Sequence, residues 1–304
     1  MSAAAIQRVI FIVQVLAAVA IAWALHKYKG FGWPSAIAIG IAAGFVVHAA
    51  IILLEFVLAG IAASKAPAQH RIGVLGWIGC YALELWASIR TFTFAQPWLA
   101  NRRMAGQRIA YSASVPVLFL HGYFCNRALW RSMARVLAAR GHASSAINLE
   151  PVYGSIDDYA TSINHAVRRL QSRTGAPKIA LVCHSMGGLA ARAYLRAHGD
   201  GAIAKVITIG TPHQGTFLAR FGHGKDAWQM RQLSLWLLEL SESETPPRRA
   251  LFTIMLSHQD NIASPQAVQV LEGAQTIEFS GIGHVAMVYD AGVQAAVIRA
   301  LQNV

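Results

Sequence analysis

Hydrophobic and polar positions fall into two regimes along this chain. Val9 to Leu25 is apolar except for Gln14, and Ser35 to Ala63 forms a second apolar run that contains His48 and Glu55. As helices rising 1.5 Å per residue, both are long enough to cross about 30 Å of hydrocarbon. A third run, Ile72 to Ile89, carries Glu84 and three glycines, with Trp77, Tyr81 and Trp86 spread along it. Followed by the basic tract Arg90 to Arg108, it reads as an interfacial helix rather than a span. From residue 115 the pattern shortens. Strand-like runs at Val115–Leu120, Ser144–Leu149, Lys178–Cys183, Lys205–Ile209, Leu251–Leu256 and Ala274–Phe279 are separated by helix-like stretches such as Ala128–Ala139 and Asp158–Leu170. Alternation of this kind predicts a mainly parallel sheet covered on both faces. Residues 217–249 interrupt it with an apolar insert containing Trp228, Met230, Leu233 and Leu235 to Leu238. The insert fits a lid or platform beside a site and a core-packing helix equally.

One segment carries chemistry. The run Lys178 to Cys183 is followed by His184-Ser185-Met186-Gly187-Gly188 and then a helix-like stretch. A serine at the apex of a strand–turn–helix projects its hydroxyl clear of its own backbone, and the helix N-terminus behind it favours negative charge. The two glycines allow close packing against neighbouring strands. Cys183, two positions before the apex, should point back into the sheet as a buried thiol.

This segment resembles the nucleophile region of the α/β-hydrolase superfamily, whose pattern is G-x-S-x-G, with Cys183 in place of the first glycine. The resemblance implies that an acid and a histidine follow the serine in that order. Position selects among twelve histidines. His284 follows a strand-like run through the turn Gly281-Ile282-Gly283, which would set an imidazole above the strand ends. Asp260 directly follows the run Leu251–Leu256, whereas Asp200 sits in a glycine-rich turn and Asp226, Glu239, Glu242 and Glu244 lie in helical or linker stretches. Ser185, Asp260 and His284 are therefore the expected catalytic residues. By the same resemblance, His121-Gly122-Tyr123 after Val115–Leu120 implies an oxyanion hole formed by the amides of Tyr123 and Met186. Gly210-Thr211-Pro212-His213-Gln214-Gly215 looks like a block found in bacterial lipases and esterases, with His213 in a structural role. The stretch His121 to Tyr159 looks like membrane-associated lipase-like hydrolases of proteobacteria. Asp157 and Asp158 sit where a helix should begin and read as caps.

Composition then places the chain. Hydrophobic residues make up 55% and charged ones 13%, a balance that pulls toward the membrane class. The first 110 residues hold nine basic and two acidic residues, so +7 of the +12 net charge lies near the apolar runs. That basicity suits anionic lipid headgroups; no nucleic-acid motif accompanies it. Three cysteines provide neither a disulfide framework nor metal-ligand spacing. A cleaved signal peptide would account for the first run alone, but no small-residue cleavage site follows Leu25 and the second run would remain. His48 and Glu55 share a helix face and are expected to pack toward the other helix or the interface, remote from the chemistry.

The expected organisation is a transmembrane hairpin at 1–66, a basic interfacial segment at 67–110 and an α/β-hydrolase domain at 111–304. The expected activity is cleavage of carboxylic esters, lipids or other apolar acyl esters, through an acyl-enzyme on Ser185. It needs no metal or cofactor, and its partners are the bilayer and the ester. Alternatives are an acyltransferase using the same acyl-enzyme and a silent membrane scaffold. Loop charges place both ends and the hydrolase domain on the cytoplasmic side of a bacterial inner membrane, unless Ile72–Ile89 is a third span.

Overall fold

The computed structural model describes residues 2–107, 110 and 114–302; Arg108 and the expected start of the hydrolase domain at 111 lie outside them. The first apolar run is α1 (Ala3–Lys29) and the second is α2 (Trp33–Ile61). Both are long and apolar enough to cross a membrane. Val9, Val13, Leu16 and Val19 on α1, and Val46, Leu53 and Leu54 on α2, face outward. A core helix of a soluble protein would bury such residues. The two helices meet closely where Gly40 faces Ala18: a Cβ on that glycine would lie 2.4 Å from the Ala18 carbonyl oxygen.

The third run is α3 (Val74–Ser88), which continues through a π-helical turn, Ile89–Ala95, into the short α4 (Gln96–Leu99). Its sides differ. Val74, Leu75 and Ile78 are exposed, whereas Cys80, Glu84, Ala87 and Ser88 are buried against the rest of the chain.

The sheet begins with β1 (Val117–Leu120), followed by α5 (Arg131–Ala138), β2 (Ser144–Ala146) and α6 (Tyr159–Thr174). Next come β3 (Ile179–His184), α7 (Met186–His198) and β4 (Ile203–Ile209). The insert holds α8 (Lys225–Gln229), α9 (Leu235–Glu242) and α10 (Pro246–Arg249). The chain closes with β5 (Phe252–Ser257), β6 (Gln275–Phe279) and α11 (Ala291–Gln302). The six strands are ordered β2-β1-β3-β4-β5-β6, and every pairing is parallel. Parallel strands buried on both faces read as continuous apolar runs, as Val117–Leu120 and Ile179–Cys183 do. One core lies on the α6/α7 side of the sheet, the other on the α5/α11 side.

Two expectations need correction. β2 stops at Ala146, because the Leu149 amide donates to His121 Nε2 (2.8 Å) instead of extending the ladder at the sheet edge. Asp157 and Asp158 do not cap α6. The helix is entered through a 3₁₀ turn at Ile156–Asp158 with no side-chain cap, and Asp157 pairs with Arg196 while accepting from Trp236 Nε1 (2.8 Å).

Candidate active site

Ser185 directly follows β3, at the N-cap of α7, with φ +56° and ψ −128°, a region a side chain adopts only when its surroundings force it. Those surroundings are tight. A Cβ at Gly187 would fall 2.4 Å from the Leu120 carbonyl oxygen, and one at Gly188 would fall 2.3 Å from Thr211 Oγ1. The Ser185 amide donates to Ile209 O (2.9 Å), and Thr211 Oγ1 donates to Ser185 O (2.8 Å), tying the turn to the end of β4. Cys183 is wholly buried as expected, and burial pushes its thiol far up, into the inert protonated form.

Asp260 and His284 follow β5 and β6 at the same end of the sheet, where ligand crevices of parallel α/β folds form. His284 Nδ1 lies 2.8 Å from Asp260 Oδ2 and 3.0 Å from Oδ1. Asp260 Oδ1 also accepts the amides of Ile262 (2.8 Å) and Ala263 (2.7 Å), which fixes the carboxylate. Gly210, with φ +61°, leaves the space they occupy: its Cβ would stand 3.1 Å from both Asp260 Oδ2 and His284 Nδ1. The His284 backbone is held by Asn261 Oδ1, which accepts its amide (2.9 Å), and by His184 Nε2, 3.1 Å from its carbonyl oxygen. Burial works against charge on His284, but the charge and hydrogen bond of Asp260, with Glu84 and Glu55 behind, outweigh it and raise its pKa. Burial holds His184 neutral. Ser185 Oγ is not hydrogen-bonded to the imidazole here, a contact that is often loose before substrate binds.

Ser185 and His284 open into one cavity of about 470 Å³. Gly122, in the turn after β1, presses on the serine, its Cβ position 2.8 Å from Ser185 Cβ. Met186 directly follows the serine and Tyr123 directly follows Gly122, and neither amide is consumed by a bond to another described residue. The wall comes from two distant places. Leu218, Phe221 and Met230 belong to the insert, while Ile52, Glu55 and Leu58 belong to α2, and Glu84 and Ser88 to α3. Within the insert, Met230, Leu237 and Leu240 are buried in the core, and Phe221 lines the cavity while largely exposed. Tyr123 holds it down, its hydroxyl donating to His223 O (2.8 Å) and accepting from the His223 amide (3.0 Å).

His213 lies in the core with Nε2 3.0 Å from Thr208 Oγ1, away from the cavity. Glu55 departs from its expectation of packing remote from the chemistry. It lines the cavity and accepts from Asn261 Nδ2 (2.9 Å), while His48 meets Ser88 Oγ (2.9 Å). Sequence reasoning also missed Glu84, whose signal was a lone acid inside an apolar run. Among the described residues, His70, His258 and Glu278 offer ligand atoms that converge within 4.8 Å. They sit at the β6 edge, and both imidazole Nε2 atoms already face Glu278 Oε2 (3.1 and 2.8 Å).

Residues 115–253 match a family model of the α/β hydrolase fold. A triacylglycerol lipase of Pseudarthrobacter phenanthrenivorans is 46% identical over 55 residues, covering 18% of this chain and 17% of that protein. One of Burkholderia plantarii is 46% identical over 55 residues, covering 18% of this chain and 15% of that protein. The chain thus matches only a small part of these curated relatives. Among solved structures, the mature form of Bacillus licheniformis lipase BlEst2 superposes with a TM-score of 0.58 at 17% identity, covering 65% of this chain and 97% of that one. Aspergillus fumigatus lipase B gives 0.56 at 14% identity, covering 66% and 55%. With its all-parallel sheet and the family match over residues 115–253, the chain has the α/β-hydrolase fold.

Proposed function

We propose that the protein is a membrane-anchored serine hydrolase that cleaves apolar acyl esters presented by a bilayer. The observation that carries this reading is the pairing of Ser185 with the Asp260–His284 couple on one cavity walled in part by the apolar helices α2 and α3. Ser185 Oγ attacks the acyl carbonyl as His284 Nε2 takes its proton. The amides of Tyr123 and Met186 hold the oxyanion, and His284 returns the proton to the leaving alcohol. Water, deprotonated by the same imidazole, then releases the acid and frees Ser185. Asp260 keeps Nδ1 protonated and stabilises the imidazolium. The apolar cavity suits an acyl chain.

In this reading α1 and α2 form the anchor, α3 lies at the interface, and the domain from 111 onward faces the cytoplasmic leaflet, where basic residues near the spans meet anionic lipid. The test is fluorophosphonate labelling of the full chain, followed by turnover of esters of graded chain length. Ser185→Ala should abolish labelling and lower turnover by about 10⁴-fold or more with the fold intact. Near-parental turnover in that variant would sink the mechanism. Transfer to an added alcohol in place of water would move the assignment to an acyltransferase.

A further inference from the structure

Two carboxylates that the sheet domain does not supply stand behind the Asp260–His284 pair. Glu84, on α3 and only 1% exposed, accepts the amide of Val285 at Oε1 (2.9 Å) and that of Ala286 at Oε2 (2.8 Å). These are the two residues directly after His284. Glu55, on α2, accepts from Asn261 Nδ2 (2.9 Å), and Asn261 Oδ1 in turn accepts the His284 amide (2.9 Å). On the near side of His284, Gly283 has no room for a side chain: its Cβ would lie 2.6 Å from Glu84 Oε2. A buried carboxyl is costly unless hydrogen-bonded. Both Glu84 oxygens meet an N–H donor, an arrangement that suits the ionised group, because a carboxylic acid would turn its own O–H toward one of the donors.

We propose that Glu84, supported by Glu55 through Asn261, is a positioning residue for His284. It fixes the 283–286 turn so that the imidazole stays on Asp260 and faces Ser185, and its charge supports the protonated ring. The proposal rests on the hydrolase reading above and makes the N-terminal helices part of the active site. The charged and titratable groups around His284 are Asp260 after β5, Glu84 on α3, Glu55 on α2 and His184 on β3, with Cys80 beside Glu84 on its own helix. Burial, helped by the charge of Asp260, raises the Glu84 pKa, and the two amide bonds and the charge of His284 offset this only in part.

The experiment uses the full chain in detergent or vesicles, with a short soluble ester and fluorophosphonate labelling of Ser185 as readouts. Glu84→Gln keeps the size but removes the charge and sets an NH₂ against one backbone donor. Its kcat should fall about tenfold or more, within the roughly 10²-fold that a 1 Å misplacement can cost. KM should stay within about twofold, and labelling should slow with kcat. Loss of a neighbouring anion lowers the imidazole pKa, so the acid limb of kcat/KM should move to lower pH. Gly283→Ala pushes the same contact from the other side and should also lower kcat, which carries the test if Glu84→Gln does not fold. Leu83→Ala, on the exposed face of α3, should keep parental kcat. Parental kcat in folded Glu84→Gln or Gly283→Ala overturns the proposal. A lowered kcat with an unmoved acid limb reduces Glu84 to packing and overturns it as well. A parent chain that neither turns over ester nor takes the label sinks the hydrolase reading first.

Discussion

Asp260 accepts three N–H donors besides its neighbours' packing: the amides of Ile262 and Ala263 and the Nδ1 of His284. Asp260→Asn keeps the shape but loses the charge that supports the imidazolium, and its amide would compete for those donors. Turnover should fall by about 10³- to 10⁴-fold, as removal of triad charge does elsewhere, with little change in melting temperature. Asp290→Asn makes a useful contrast, because Asp290 only caps α11 through the Val293 amide (2.9 Å), which asparagine also caps well. A larger loss in Asp290→Asn would move the acid assignment. The raised pKa of His284 sets the sign of the pH profile. In the proposed mechanism the ring must be neutral to take the serine proton, so kcat/KM should rise with pH through an apparent pKa above 6.5, the ordinary histidine value. In Asp260→Asn that limb should shift downward; an acid limb well below 6 in the parent would contradict the assignment.

At the level of elements, the insert is tied to α7 by a buried ion pair. Arg192 donates from Nε to Glu244 Oε1 (2.6 Å) and from its NH2 group to Oε2 (3.0 Å), and also to the carbonyl oxygen of His213. Glu244 also receives Arg249 (3.3 Å). Removing one partner leaves a buried charge uncompensated, so Glu244→Ala should cost about 3–5 kcal/mol, read as a lowered denaturant midpoint. Turnover of surviving folded protein should change far less, since Glu244 does not line the cavity. The core strands, the Ser185 turn and the loops bearing Asp260 and His284 were legible in the sequence because each is a local pattern: an apolar run, small residues, then a polar group. The ends of β2 and the entry to α6 were not, because there the backbone bonds with His121 and a 3₁₀ turn instead of following the pattern. Asn261, adjacent to Asp260, carries no local signal, since its partners lie on α2 and in the His284 loop.

At the scale of the whole molecule, the contacts that join the apolar helices to the sheet domain connect residues far apart in sequence. Glu84 reaches 201 residues to Val285, Glu55 reaches 206 to Asn261, and Gln7 reaches 117 to the Phe124 carbonyl. No periodicity encodes such pairs, and for that reason the sequence suggests a detachable anchor where the structure has a shared wall. Topology remains legible only through charge, and the expected arrangement is testable. Cys80, Cys125 and Cys183 are all buried, so an impermeant thiol reagent should report only a cysteine introduced at the exposed Thr161 on α6. The cytoplasmic arrangement predicts labelling in inverted vesicles and none in intact cells; labelling in intact cells would reverse it.

In the proposed function, the wall that α2 and α3 contribute to the cavity has a kinetic meaning. An enzyme whose substrate enters alongside its own anchor meets that substrate as a fraction of the surrounding lipid, not as a molarity in water. Adding more vesicles of the same composition should then leave turnover per inserted enzyme unchanged, whereas spiking the vesicles with inert lipid should slow it. The liberated acid would leave by the same side and accumulate in the leaflet that supplied it, so inhibition by product would track membrane composition and be blind to the volume of the surrounding water.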